Sequence, residues 1–340
     1  MKSNKYTNQQ LTNDGTTLDL GRALVCDVTY DADSLLGERF LCRGSGGLMV
    51  GQSGIGKSTL AFQMACHWAA GKDFFGISST SGKPMKVMFG QSENDALEMA
   101  EVFQSVIENW TPSEVQTLLD HLVVEIVWNK LGKEFGTWLR ETTTKHNPDL
   151  VIIDPLMGYL GADVNSNEAI TCFMREHVNN ALKNPPEGCR QFGLIFVHHT
   201  GKPVTGGKKD EKPTNTTRMY NMLGASELVN WARFIMRLDP AQERGRALFS
   251  IPKRGNRSGV PYHQGEDEFG CYVRHATASP NSQKRAMRWE PANALLAPLP
   301  AAVAAEIAAP NVPETLKTSK KAKLPKAGPG LDSAESRQTA

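Results

Sequence analysis

Several features are scarce or missing in this 340-residue chain, and each absence removes a class of protein. No stretch approaches the roughly 18 uninterrupted apolar residues that a membrane-spanning helix needs, and the opening MKSNKYTNQQLTNDG has no apolar signal core. A soluble, cytoplasmic protein without a membrane partner is therefore expected. The six cysteines, Cys26, Cys42, Cys66, Cys172, Cys189 and Cys271, are scattered with no C-x-x-C pair, which argues against a clustered metal site. They read as small buried or neutral residues in a reducing compartment. Net charge is only +2 with 22% charged residues, so no excess of one sign announces a nucleic-acid binder.

What is present is enough chain for a large core, and a regular alternation of short apolar runs with helical patterns. Strand-like KVMFG, HLVVEIVW, DLVIIDP and FGLIFVHHT are separated by NDALEMAEVFQSVIENW, EFGTWLRETTTKH and the amphipathic EAITCFMREHVNNALK. The runs VMF, LVII and LIFV lack period-two alternation, as strands buried on both faces do. The expectation is an α/β fold: a largely parallel twisted sheet flanked by helices. Residues 1–36 read as a flexible leader and 37–288 as the folded domain. Residues 289–340, rich in alanine, proline and lysine, read as a disordered tail. The segment TGKPVTGGKKDEKPTNTTRMYN, residues 200–221, has no apolar period and reads as a mobile functional loop.

The most specific motif is GQSGIGKST, residues Gly51, Gln52, Ser53, Gly54, Ile55, Gly56, Lys57, Ser58 and Thr59. It satisfies G-x-x-x-x-G-K-[ST] between strand-like GLMV and helix-like LAFQMACHWAA, the context of a phosphate-binding loop. Its glycines let successive N–H groups point at phosphate oxygens, and the following helix adds its positive end. Lys57 would reach the β and γ phosphates, Ser58 would sit on Mg²⁺, and Thr59 would lie near the α phosphate.

Four further positions bear on what happens to that phosphate. Asp154 ends the run LVII, where ligands gather in open α/β sheets, and could hold Mg²⁺ opposite Ser58; the alternative is a cap on the next helix beside Pro155. Glu93, in QSEND just after KVMFG, could orient or deprotonate water, or be a first-turn carboxylate with Ser92 or Asn94 as cap. His198 and His199 end LIFV and could contact a phosphate oxygen. Arg233, with Lys253 and Arg254, stands at strand ends on the far side of the domain. Such cations could reach a neighbour's nucleotide or simply form surface salt bridges.

Taken in order, GQSGIGKST, QSEND, LVIIDP, IFVHHTGK, GASELVNWARF and KRGN resemble the RecA-like P-loop ATPases over roughly residues 39–259, and among them the RepA-type replicative helicases and related AAA-type ATPases. That resemblance implies ATP and Mg²⁺ as cofactors, with Glu93 as hydrolytic base and Asp154 as metal residue. It also implies His198 as a γ-phosphate contact and Arg233 acting in trans across a hexameric ring. By family position and charge, Lys202, Lys208, Lys209, Lys212 and Arg218 would face single-stranded DNA, with a primase or origin-binding protein as a possible separate partner. Leu223, Gly224 and Ala225 depart from the family's Arg-Gly-Ser, which removes a second trans arginine. The expected function is a DNA-translocating helicase motor. A recombination or repair ATPase and a regulatory nucleotide switch are the alternatives. A phosphotransferase fits less well, because no arginine-rich lid follows the loop.

Overall fold

The apolar runs become strands wherever a glycine or a polar residue ends them, and most of them join one sheet. The computed structural model describes residues 6, 9–13, 17–29, 31–200, 226–241, 243, 245–263, 268–277 and 286–292. In chain order its strands are β1 (Thr12–Asn13), β2 (Thr17–Leu18), β3 (Ser34–Leu36), β4 (Leu41–Cys42), β5 (Gly46–Gly51), β6 (Val87–Gln91), β7 (Leu122–Ile126), β8 (Leu150–Asp154), β9 (Gly193–His199), β10 (Ile235–Pro240), β11 (Arg246–Lys253), β12 (Tyr262–His263), β13 (Glu268–His275) and β14 (Trp289–Pro291). The helices are α1 (Leu20–Leu24), α2 (Lys57–Ala69), α3 (Ala96–Ile107), α4 (Pro112–His121), α5 (Lys133–His146), α6 (Met157–Leu160), α7 (Asn167–Thr171), α8 (Asn179–Lys183) and α9 (Ser226–Trp231).

The main sheet runs β12-β13-β11-β10-β5-β9-β8-β6-β7, with β14 added beside β13. From β10 to β7 every pairing is parallel, and beyond β10 the sheet turns antiparallel. One strand, β9, separates β5 from β8, and β6 lies beyond β8. The carboxyl ends of all six parallel strands meet at one edge, the place where open α/β sheets bind ligands.

Each face of the sheet carries its own core. Helices α2, α3 and α4 cover one, and α2 is buried almost all round: Leu60, Ala61, Met64, Ala65, Cys66 and Trp68 are fully buried. Helices α5 to α9 cover the other, where Phe135, Tyr159, Phe173 and Phe196 pack together. A fully buried side chain of this size contributes about 1.5–3 kcal/mol. The amphipathic stretch after Asn167 is not one regular helix. Its middle, Cys172–Val178, is π-helical between α7 and α8, at the point where Gly136 of α5 comes so close that a Cβ there would lie 2.9 Å from the His177 Cβ.

Several elements were not expected, among them α4 and the pieces before residue 37. Helix α4 is built on a signal present in the sequence: Thr111 accepts from the Glu114 N–H, Glu114 reaches back to the Thr111 N–H at 2.8 Å, and Pro112 opens the helix. Before residue 37, α1 forms and β3 pairs with β4, placing Leu35 and Leu36 in the core. No helix among the described residues is long and apolar enough to cross a membrane. The lysine-rich 200–221 segment lies outside the described residues apart from Thr200, as does the tail from residue 293.

Candidate active site

The phosphate-loop motif spans the end of β5, a turn and the start of α2. Gly56 takes φ 95°, and a Cβ there would lie 2.7 Å from the Trp289 ring, so only glycine fits. Gly51 is equally constrained: a Cβ would meet the Leu238 carbonyl oxygen at 2.5 Å. No side chain caps the first turn of α2, which leaves its N–H groups open to an anion. Ser53, Gly54, Gly56, Lys57, Ser58 and Thr59 line a cleft of about 370 Å³ with Glu93, Asn94, Glu98, Glu101, Val102, His199 and Met287.

Lys57 is almost fully buried, and its ammonium folds back to donate to the Gln52 carbonyl at 2.7 Å and to His199 Nδ1 at 3.2 Å. Burial pushes its pKa down, while the nearby Asp154 and Glu93 carboxylates push it back up. Burial, then the Lys57 charge, lowers the His199 pKa, so the ring is neutral near pH 7. Because Nδ1 accepts from Lys57, the ring proton sits on Nε2.

Asp154 ends β8 deep in the structure, and the Ser58 hydroxyl lies beside its carboxylate. Burial raises its pKa to about 6, against the lowering effect of the Ser58 hydroxyl; Glu93 raises it further and Lys57 opposes. It does not cap α6, whose cap position, Leu156, makes no side-chain capping bond. A buried carboxylate beside a hydroxyl is a hard-oxygen pair that suits Mg²⁺, which needs few protein ligands when phosphates supply the rest. No larger cluster of metal-ligating residues occurs among the described residues.

Glu93 sits in a turn that Gln91 holds. The buried Gln91 side chain accepts from the Glu93 N–H at 3.1 Å and the Asn94 N–H at 2.8 Å, and donates to the Asn94 carbonyl. The cap of α3 is Asp95, in a capping box with Glu98. Glu93 thus lies outside the helix and is not a first-turn carboxylate; it projects into the cleft, exposed.

One expected residue is not brought to the cleft. His198, matched by resemblance to a γ-phosphate contact, pairs in register with Val50 and is fully buried on the α5-to-α9 face. The next residue, His199, pairs with Gly51, emerges on the α2 face and meets Lys57. Successive side chains of a strand point to opposite faces, so only one of two adjacent histidines can reach the loop.

Residues 29–204, just over half of the chain, match the family model described as AAA domain. The chain belongs to the AAA domain family. Its architecture is the RecA-like P-loop ATPase core, with the phosphate-loop strand and the Asp154 strand separated by one strand. Among solved structures, the chain is similar to the crystal structure of the RadB recombinase, with 14% identity and a TM-score of 0.42 over 69% of this chain and 89% of that one. No curated protein sequence matches it.

The opposite edge of this AAA domain carries the cations. The Arg233 N–H donates to the Gly46 carbonyl at 2.7 Å, at the start of β5, so a strand of roughly 17 Å separates it from its own phosphate loop. Lys253 donates to the carbonyls of Val229, at 2.8 Å, and Ala232, closing the end of α9. Arg254 reaches the Arg39 carbonyl at 3.0 Å, and its pKa is lowered by burial and by the charges of Arg233 and Arg257. None of Arg233, Lys253 and Arg254 pairs with a carboxylate among the described residues, and the Arg233 Nε is buried without a partner.

Sequence reasoning missed the strap at residues 286–292. The Trp289 indole donates to the Thr59 hydroxyl at 3.0 Å, and that hydroxyl donates to the Gly56 carbonyl at 2.8 Å. With its one proton used, the Thr59 side chain has nothing to donate to a phosphate, and only its N–H remains. The Gln63 amide holds the Trp289 backbone at both its N–H and its carbonyl, and Met287 walls the cleft. The strap pairs with β13 and also reaches α2 and α3, with Met287 bonded to Ser105, 182 residues earlier in the chain.

Proposed function

We propose that this chain hydrolyses Mg-ATP at composite sites in a ring and uses turnover to move along single-stranded DNA. The observation that carries the reading is the split just described: loop, metal pair and carboxylate on one edge, and on the other an arginine cluster with no carboxylate partner among the described residues. A head-to-tail neighbour would bring the second edge to the first.

In this mechanism Lys57 leaves Gln52 and His199 for the phosphate oxygens, and the loop N–H groups neutralise the remaining charge. Ser58 and Asp154 would hold Mg²⁺, which supplies charge neutralisation at the phosphate oxygens when bound. Glu93 takes a proton from water as the water oxygen bonds to the γ phosphorus and the bond to the ADP oxygen breaks. Arg233 of the next subunit stabilises the charge that develops. The carboxylate of Glu101, beside apolar Val102 and Met287 in the same cleft, offers an acceptor to the exocyclic amine of adenine. The DNA component rests on the resemblance and on Lys202, Lys208, Lys209, Lys212 and Arg218, which lie outside the described residues.

The test is ATP hydrolysis by the full chain with and without single-stranded DNA, with Glu93→Gln alongside. The expected result is several-fold stimulation by DNA, and a loss of about 10²–10⁴ in turnover for Glu93→Gln with nucleotide binding retained. A slow, DNA-indifferent rate would sink the motor and leave a regulatory switch. Open filaments with strand exchange in place of rings would move the reading to a recombination ATPase.

A further inference from the structure

The last inward-facing side chains at the carboxyl edge form a row. Ile195, Val197 and His199 of β9, Leu150, Ile152 and Asp154 of β8, and Val87, Phe89 and Gln91 of β6 alternate onto the α2 face. His199, Asp154 and Gln91 thus end their strands on the face that carries the phosphate loop, and Gln91 pairs in register with Asp154. The first two already have a part in the chemistry. Gln91 is 1% exposed, and a buried amide is costly unless its polar atoms are hydrogen-bonded.

The side-chain bonds of Gln91 go to the turn that carries Glu93. Its Oε1 accepts from the Glu93 N–H at 3.1 Å and the Asn94 N–H at 2.8 Å, and its Nε2 donates to the Asn94 carbonyl. These partners fix which end of the amide is oxygen. On the other side of the turn the Ser92 N–H donates to the Asp154 carbonyl at 3.1 Å. A Cβ on Gly158 would lie 2.3 Å from the Ser92 hydroxyl oxygen, so residue 92 has little room to shift. Every N–H from Ser92 to Asn94 is therefore held before α3 begins. Helix α3 does not need these bonds, because Asp95 and Glu98 cap it between themselves. They serve the turn alone.

We infer that Gln91 is a positioning residue for the attack of water: its amide sets the backbone that aims the Glu93 carboxylate. Gln91 itself does not line the cleft, so it acts through Glu93. The inference rests on Glu93 being the base in the reading above. A group that takes a proton in the transition state must be closely placed, and a misplacement of about 1 Å can cost about 10²-fold in rate. A neutral amide beneath the turn fixes that placement without adding a further charge beside Asp154 and Glu93.

The experiment is a double-mutant cycle on the full chain, with Gln91→Met, Glu93→Gln and the pair, read as kcat and KM for ATP. Methionine keeps the length of glutamine but has no donor and only a weak acceptor. The expected result is a fall of about 10² in kcat for Gln91→Met at unchanged KM, and no further fall when it is added to Glu93→Gln. Equal loss in both backgrounds, or wild-type kcat in Gln91→Met, would overturn the inference and leave Glu93 as the base. Wild-type kcat in Glu93→Gln would overturn the base reading, and this inference with it. Hydrogen exchange on the wild-type chain does not depend on how the variant folds. The Glu93 and Asn94 amides should exchange at least about tenfold more slowly than in an unstructured peptide, and exchange at the free-peptide rate would overturn the inference.

Discussion

The two edges of the sheet differ in how their charges are matched. At the carboxyl edge, Lys57 faces Asp154 and Glu93, the Ser58 hydroxyl lies beside Asp154, and His199 takes a bond from Lys57. At the amino edge, Arg233, Arg254 and Arg257 crowd together; the carboxylate close by, Asp31, is held by Arg39 at 2.8 Å. A desolvated cluster of one sign is costly unless an anion completes it. The first edge thus holds charges of both signs close together, whereas Arg233, Arg254 and Arg257 of the second pair with no carboxylate among the described residues. A phosphate held at the first edge of another copy has the charge the second lacks.

The largest expected effect comes from breaking the amino edge. Arg233→Ala should lower turnover by about 10³–10⁵, the range for an arginine supplied in trans, while nucleotide binding is unchanged. Mixing it with Glu93→Gln sharpens the comparison. If the sites are composite, a mixed ring contains interfaces that join an intact Glu93 to an intact Arg233, and activity returns. Two inactive proteins that stay inactive when mixed, in rings shown to exchange subunits, would place Arg233 outside the reaction.

A smaller effect should come from the buried carboxylate of the other edge. The folded-state pKa of Asp154, about 6, lies above the ordinary carboxylate value, so the folded protein holds a proton that the unfolded chain gives up. The stability tied to that proton is present at low pH and is lost as pH rises through about 6, amounting to about 2–3 kcal/mol at pH 7.5. Asp154→Asn should therefore melt higher than wild type at pH 7.5 without nucleotide, and that advantage should shrink as pH falls towards 4. Mg-ADP should reverse the order, since the wild type gains a metal ligand and the variant does not. Equal melting at pH 7.5 would mean that Asp154 is already compensated within the chain.

The carboxyl edge was largely legible in the sequence, because its residues follow strands. Gly51 to Thr59, Glu93 and Asp154 all sit just past apolar runs that can only be buried strands, and such ends gather at one edge of a parallel sheet. The choice between His198 and His199 was not legible. LIFV is apolar on both faces, so no alternation revealed which histidine shared a face with Lys57. Arg233 was readable as a strand-entry cation. Its lack of a carboxylate partner was not, because that depends on where Arg39, Arg254 and Arg257 arrive from distant parts of the chain. Helix α4 carried its own start signal in Thr111, Pro112 and Glu114, whereas the strap at Trp289 is placed by pairing with β13 and by bonds to α2 and α3, which no local pattern encodes.

The strap supplies the smallest test, and it asks whether the carboxyl edge is as self-contained as its charges suggest. Trp289→Phe removes the N–H that donates to Thr59 and leaves a smaller ring beside Gly56. One neutral hydrogen bond is worth about 1 kcal/mol, so melting should fall by a few degrees. The backbone bonds to Gln63 do not involve the indole, so the strap stays in place. Because the Thr59 proton already goes to the Gly56 carbonyl, losing the indole donor should leave turnover nearly unchanged. A large fall in turnover with the melting temperature unmoved would show that the strap tunes the phosphate loop itself, and the balance at this edge would then depend on a segment that arrives from the far end of the fold.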